Sequence, residues 1–182
     1  MRFVTGLFAP ADKRRHLFAL YALDIELIRV RQAAPQPMMA AIRYQWWRDA
    51  LEKLPGDPRG HPVLSELGRA IASGQSVVDL VRLVDERDRA GEPAVAEALV
   101  VTLAARMLGA PPGDNPIAEA AGIAIVTGDR SFLEDARRLW KGARRTRKAE
   151  LPAYLPATFV AARHPVTALA LHWRTLIMAL RN

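Results

Sequence analysis

The chain contains no cysteine, and only four of its 182 residues are histidine. The lack of cysteine excludes disulfides, thiolate nucleophiles, iron–sulfur clusters and every zinc site that uses a cysteine ligand. The apolar runs, such as residues 98 to 105, are shorter than the roughly 18 residues that a membrane span requires. The first residues do not have the order of charged and apolar segments of a secretory signal, so we expect an intracellular protein.

Composition is that of an ordinary folded domain. Apolar residues make up 51% of the chain and charged residues 25%, with a net charge of +7. A disordered chain would have fewer apolar residues and more net charge for its length. We therefore expect a single domain over residues 1–182.

Apolar residues recur at spacings of three and four, and no alternating β-branched run is present, so the sequence predicts an all-α helical bundle. On the first helix, one buried face is predicted from Leu17, Leu20, Tyr21, Leu27 and Ile28. Proline and glycine mark most of the predicted helix ends. The predicted helices cover about residues 12–32, 38–54, 62 onward, 76–89, 93–108, 115–139 and 165–180.

Motifs for two common reaction types are absent from the sequence. None of the four serines lies in a G-x-S-x-G or S-x-x-K setting, which excludes the familiar serine hydrolases. No glycine-rich phosphate loop is present either.

Asp24 is an acidic residue on an apolar stripe, three residues after Tyr21 and three before Leu27. A buried carboxylate requires a partner. It is either a metal ligand or general base, or one half of an ion pair with an arginine. The ion pair is favoured, because no second carboxylate shares that helix face.

A second acidic segment, residues 85 to 88, alternates with arginines. Arg82 precedes Glu86 by four residues, and Asp85 precedes Arg89 by four. This spacing is typical of ion pairs on a solvated helix surface, which is the favoured interpretation.

The third acidic set is Asp129, Glu134 and Asp135. Asp129 and Glu134 are five residues apart, about 140° around a helix, so they do not converge on one ion. The sequence accordingly predicts no metal site, no cofactor and no catalytic residue.

Residues 137 to 148 form a basic segment without a single acid, and its seven cations equal the net charge of the chain. Compensation of a helix dipole, together with solubility, explains one or two of them. The segment is therefore predicted to bind an anion or a partner. Its cations are Arg137, Arg138, Lys141, Arg144, Arg145, Arg147 and Lys148.

Trp46 and Trp47 are adjacent in the sequence. Neighbouring helical positions point about 100° apart, so one ring is predicted to enter the core while the other covers a neighbouring helix or groove.

In order and content, four segments resemble the squalene/phytoene synthase family, and the likeness extends over about Phe8 to Pro156. The WWRDAL stretch and the HPV that follows it are the most specific parts. The resemblance implies an isoprenoid-synthase fold, here shortened at the C-terminus. The segments are LFALYALDIELIRVR at 17–31, IRYQWWRDALEKL at 42–54, HPVLSELGRAI at 61–71 and LVRLVDERDR at 80–89.

Catalytic members of this family hold Mg²⁺ and substrate diphosphates on two aspartate-rich helices. The first motif, DDxxD, should follow Ala19–Ala22, where this sequence has Ile28–Gln32 with two arginines and no acid. Residues 128 to 138 match the second motif only in part, and at a different spacing. The resemblance is therefore to the family's noncatalytic branch, the complex I assembly factors.

That likeness implies a pseudoenzyme that acts by binding in the assembly of a respiratory complex. The expected partner is a membrane-associated respiratory protein or an anionic lipid surface. The basic segment is expected to bind it. An isoprenoid or lipid inside the bundle is left open. The expected location is peripheral to the inner membrane, on the cytoplasmic or a mitochondrial-matrix-like side.

Two alternatives stay open. The first is a prenyl transferase that condenses isoprenoid diphosphates with Mg²⁺ at an unconventional site; the other, less favoured, is nucleic-acid binding through the basic segment. The carboxylates available to the first are Asp24, Asp85, Asp88, Glu134 and Asp135.

Overall fold

The structure is a computed structural model that describes residues 6–34, 36–89, 93–111, 115–142 and 153. Over these residues the chain forms seven α-helices and no β-strand, which confirms the all-α prediction. The predicted helix at 165–180 lies outside the described residues. The helices are α1 (Ala11–Ala33), α2 (Pro37–Glu52), α3 (Pro62–Ala72), α4 (Val77–Arg89), α5 (Pro93–Leu108), α6 (Asn115–Thr127) and α7 (Arg130–Gly142).

Helix starts follow the local chemistry of the sequence. Pro37 and Pro62 occupy the first turns of α2 and α3, where a missing backbone N–H costs nothing. At the start of α4, the Ser76 hydroxyl accepts a hydrogen bond of 3.3 Å from the backbone N–H of Asp79. Ser76 therefore caps the N-terminus of α4.

Helix α1 lies at the centre and packs against α2, α3, α4 and α5. Leu17, Leu20 and Leu27 are fully buried on its inner side, and Tyr21 is nearly so. Ile28, which the sequence assigned to the same face, is exposed instead. It follows Leu27 by about 100° around the helix, which carries it past the edge of the buried stripe.

The single helix predicted over 115–139 is wrong, because the chain breaks at Gly128, which has φ +69°. Only glycine adopts that conformation without strain. The Thr127 hydroxyl accepts a 3.1 Å hydrogen bond from the Asp129 N–H, and the Asp129 carboxylate accepts one of 2.8 Å from the Ser131 N–H. These bonds start α7 as a new helix.

Asp129 is expected to titrate below its ordinary value of 3.8. The Ser131 backbone N–H, and then the Ser131 side chain, bond the ionised carboxylate and so lower the pKa of Asp129. Its contribution to stability is present at neutral pH and is lost as the pH falls through the depressed pKa. Carboxyl NMR titration should give a midpoint below 3.8 that rises in Ser131→Ala; a wild-type midpoint of 3.8 or above would contradict this.

Helices α5 and α6 approach each other closely at Gly122. A Cβ atom added to Gly122 would overlap the backbone of Ala98 and of Glu97. Glycine is required at this position because the two backbones leave no room for a side chain.

None of the helices in the described ranges is long and apolar enough to cross a membrane.

Candidate functional site

Two charged residues meet in the core between α1 and α4. Asp24 lies on the buried stripe of α1 between Leu20 and Leu27, and Arg87 follows Leu83 by one turn on the buried stripe of α4. Arg87 Nε and Nη2 lie 2.8 and 2.7 Å from Asp24 Oδ1. The side chain of Asp24 is 0% exposed and that of Arg87 is 13% exposed, so this is a buried ion pair.

Helix α5 supplies a second carboxylate to the same guanidinium. Arg87 Nη2 lies 3.7 Å from Glu97 Oε2, and the Glu97 side chain is largely buried. Arg87 therefore joins α1, α4 and α5, because its two carboxylate partners come from different helices.

A second arginine joins α2 to α4. Arg48 Nε lies 2.7 Å from Asp85 Oδ1, and Arg48 Nη2 lies 2.6 Å from Asp88 Oδ2. Burial lowers the pKa of Arg48, but Asp88 and Asp85 outweigh it and the pKa is raised above its ordinary value. The guanidinium therefore remains charged.

Residues 28–32 are the stretch where the resemblance places the first aspartate motif. One of their arginines contacts a neighbouring helix, and the other pairs within α1. Arg31 donates a hydrogen bond to the backbone carbonyl of Asp88, near the end of α4, where a cation compensates the helix dipole. Arg29 pairs with Glu26 at 3.2 Å on the surface of α1.

These contacts test the ion-pair interpretations that the sequence suggested for the acidic residues. The prediction that Asp24 forms an ion pair is confirmed. The prediction of an Asp85–Arg89 pair on a solvated surface is wrong: Asp85 pairs with Arg48, while Arg89 pairs with Glu86 at 3.0 Å. The physical reason is that α2 packs on α4 and brings Arg48 within bonding distance of Asp85, whose side chain stays 41% exposed.

The third acidic set is spread out. Asp129 starts α7, and Asp135 pairs with Arg138 at 2.9 Å. Across the described ranges, no three histidine or carboxylate side chains group so as to hold a metal ion.

The donor set at the centre does not fit a divalent cation. Asp24, Asp85 and Asp88 each bond to a guanidinium at 2.6 to 2.8 Å. A cation drawn to these oxygens would have to displace an arginine, and Arg87 would then be left buried beside a second positive charge. The arrangement holds helices together.

Most of the predicted basic segment lies outside the described residues. The Arg138 side chain is described; it is largely exposed and pairs with Asp135. The side chains of Arg137 and Lys141, and residues 144, 145, 147 and 148, lie outside the described part of the chain. An anion- or partner-binding role for this segment stays a prediction.

An aromatic cluster lies where α2 meets the start of α3. Trp47 is buried and Trp46 is partly exposed, as predicted, with ring centroids 5.0 Å apart in an edge-to-face arrangement. The His61 ring packs edge-on against both, at 5.3 Å from Trp47 and 6.2 Å from Trp46. The guanidinium of Arg59 lies 5.7 Å from the centre of the Trp46 ring, a cation–π contact.

Two cavities lie among the described helices. One, of about 340 Å³, lies between α4, α5 and α6 beside the Asp79–Arg106 pair. The other is a groove of about 420 Å³ between α1 and α2, lined by Glu26, Arg29, Val30, Ala33, Arg43, Trp46 and Trp47.

Comparison with known proteins gives a family match and several named relatives, of which two are described here. Residues 2–89 match the family described as squalene/phytoene synthase. The human and rat proteins named NADH dehydrogenase (ubiquinone) complex I, assembly factor 6, are 30% and 32% identical to this chain over 89 residues. That match covers 48% of this chain and 27% of each relative. No solved structure matches.

Proposed function

We propose that this chain, whose residues 2–89 match the squalene/phytoene synthase family, is a noncatalytic member that acts by binding in the assembly of a membrane respiratory complex. The observation that carries the proposal is the pairing of Asp24, Asp85 and Asp88 with arginines. The names of the human and rat relatives support the role in complex I assembly.

The ion pairs bear on catalysis through electrostatics. Ionisation of an allylic diphosphate requires positive charge at the leaving group, which metal ions held by carboxylates supply in catalytic members. Here the central carboxylates are engaged by Arg87 and Arg48. Removing either partner from a buried pair costs about 3–5 kcal/mol, so exchange of Arg87 for a metal ion is disfavoured.

The proposed contact with the partner is the basic segment, residues 137 to 148, and the proposed location is peripheral to the inner membrane, on the cytoplasmic or matrix-like side. Supporting this are the segment's seven cations and the lack of any acid in it. Cations of this density bind anionic lipid and acidic protein faces. Retention of RNA or DNA in preference to anionic vesicles at equal salt would favour the nucleic-acid alternative.

The assembly role is tested by affinity capture from native membranes after brief crosslinking. Tagged full-length protein should enrich subunits of the NADH dehydrogenase complex, or partly assembled forms of it, over an untagged control. Capture in which these subunits are no more abundant than other membrane proteins would contradict the proposal.

A prenyl transferase is the second candidate, because the family match includes catalytic proteins. Purified protein incubated with farnesyl or geranylgeranyl diphosphate and Mg²⁺ should release no pyrophosphate above a blank without protein. Release that disappears in a folded Asp24→Asn variant would establish the enzyme instead.

A further inference from the structure

Among the described residues, six of the twelve large apolar side chains that lie in solvent belong to α1 and α2. We call this set, with the arginines beside it, the α1–α2 face. Its apolar members are Ile25, Ile28, Met38, Met39, Ile42 and Trp46.

The exposed apolar residues form a row on each helix. Met38, Ile42 and Trp46 follow one another at intervals of four residues on α2, and Ile25 and Ile28 are three apart on α1. Trp46, at the end of the α2 row, also lines the groove of about 420 Å³ together with Arg29 and Val30 of α1. An exposed apolar row beside such a groove marks an interaction site.

The charged residues that line the groove, two arginines and one glutamate, sum to +1. Arg29 and Arg43 line the groove with Glu26, which already pairs with Arg29. Arg43 is exposed and, within the described part of the chain, has no ion-pair partner. Arg59, over the Trp46 ring, adds a third cation at the rim.

We propose that the α1–α2 face binds the surface of an anionic phospholipid bilayer, with Met38, Ile42 and Trp46 entering the interface and Arg29 and Arg43 meeting the phosphates. Tryptophan beside aliphatic residues, with arginine at the edge, is the chemistry of helices that lie in the membrane interface. Because Arg43 has no ion-pair partner among the described residues, its guanidinium can pair with an anionic headgroup. An anionic bilayer is therefore favoured over a neutral one. This inference rests on the proposed peripheral location and adds a membrane contact on α1 and α2 to the one proposed for the basic segment.

Vesicle flotation of the purified full-length protein tests the inference. At ~0.1 M NaCl, the protein should float with phosphatidylcholine vesicles that contain about one third phosphatidylglycerol, and much less with phosphatidylcholine alone. The double variant Met38→Ser, Ile42→Ser should weaken this binding by about tenfold, because both side chains would otherwise enter the interface. Arg43→Gln should weaken it by about fivefold on the anionic vesicles alone.

A matched control is the double variant Val78→Ser, Val95→Ser. These valines are 71% and 43% exposed, against 72% and 58% for Met38 and Ile42, but they lie on α4 and α5. The control should float like the wild type, and both variants should keep the wild-type melting temperature. Trp46 fluorescence should shift to shorter wavelength on anionic vesicles, and Trp46→Phe should remove that shift.

Absence of wild-type flotation would overturn the inference. So would flotation that the Met38, Ile42 variant leaves unchanged, even if the basic segment proved to be required. Neither result touches the assembly role, because capture of respiratory subunits is measured separately and does not depend on vesicles.

Discussion

Replacing Arg87 with methionine is expected to lower the free energy of unfolding by about 3–5 kcal/mol. The variant keeps much of the apolar stem of the side chain but leaves the fully buried Asp24 carboxylate without its guanidinium, 2.7 Å away in the wild type. The link between α4 and α5 is lost as well, since Arg87 also faces Glu97. Chemical denaturation followed by circular dichroism measures the loss.

The control for Arg87 lies on the same helix. Arg82→Met changes an exposed arginine five residues earlier and should alter stability by no more than about 0.5 kcal/mol. Adding Asp24→Leu to Arg87→Met should recover part of the loss, because an apolar pair needs no charge compensation. An Arg87→Met variant within about 1 kcal/mol of the wild type would show that the pair is not structural.

Gly122→Ala is expected to destabilise the protein by about 2 kcal/mol. The added methyl group would overlap the backbone of Ala98, which cannot move aside as a side chain can, so α5 and α6 must separate. Overpacking of this severity costs about 3 kcal/mol, while alanine gains about 1 kcal/mol over glycine within a helix. The clash therefore dominates, and thermal or urea denaturation measures the difference.

Gly56→Ala is the matched control for this substitution. Its new Cβ would lie at an ordinary 3.4 Å from the Lys53 carbonyl oxygen in an exposed turn. Stability within about 0.5 kcal/mol of the wild type is expected there. A Gly122→Ala variant as stable as Gly56→Ala would mean that α5 and α6 do not pack this closely.

The sequence predicted the helices well where proline or glycine marks their ends. The helix expected at 93–108 is found at those bounds, because glycine stops it at Gly109 with φ +107°. The break at Gly128 was missed, although its signals are local. A glycine followed by an aspartate whose side chain accepts from Ser131 is a helix end and a new start, but the amphipathic pattern continues across it.

The central site was predictable only in part. Asp24 was recognised because a lone carboxylate on an apolar stripe requires a cation. Its partner was not, because α4 carries several arginines and the choice of Arg87 depends on which face of α4 is buried. That face is marked by Leu80 and Val84, which place Arg87 one turn further along the same stripe.

Arg48 left no such signal. Gln45, Asp49 and Glu52 lie beside it on α2, so the sequence does not mark it as a lone charge on an apolar stripe. It becomes a partner of Asp85 and Asp88 only because α2 packs against α4. Pairing between helices depends on tertiary packing, which spacing within one helix does not encode.

The most direct test of the proposed assembly role is deletion of the gene in the organism that encodes this chain, with the amount of fully assembled NADH dehydrogenase complex measured by native gel electrophoresis and in-gel activity. The proposal predicts that the assembled complex falls, that smaller subassemblies accumulate, and that the wild-type gene restores it. An unchanged amount of assembled complex in the deletion strain would contradict it.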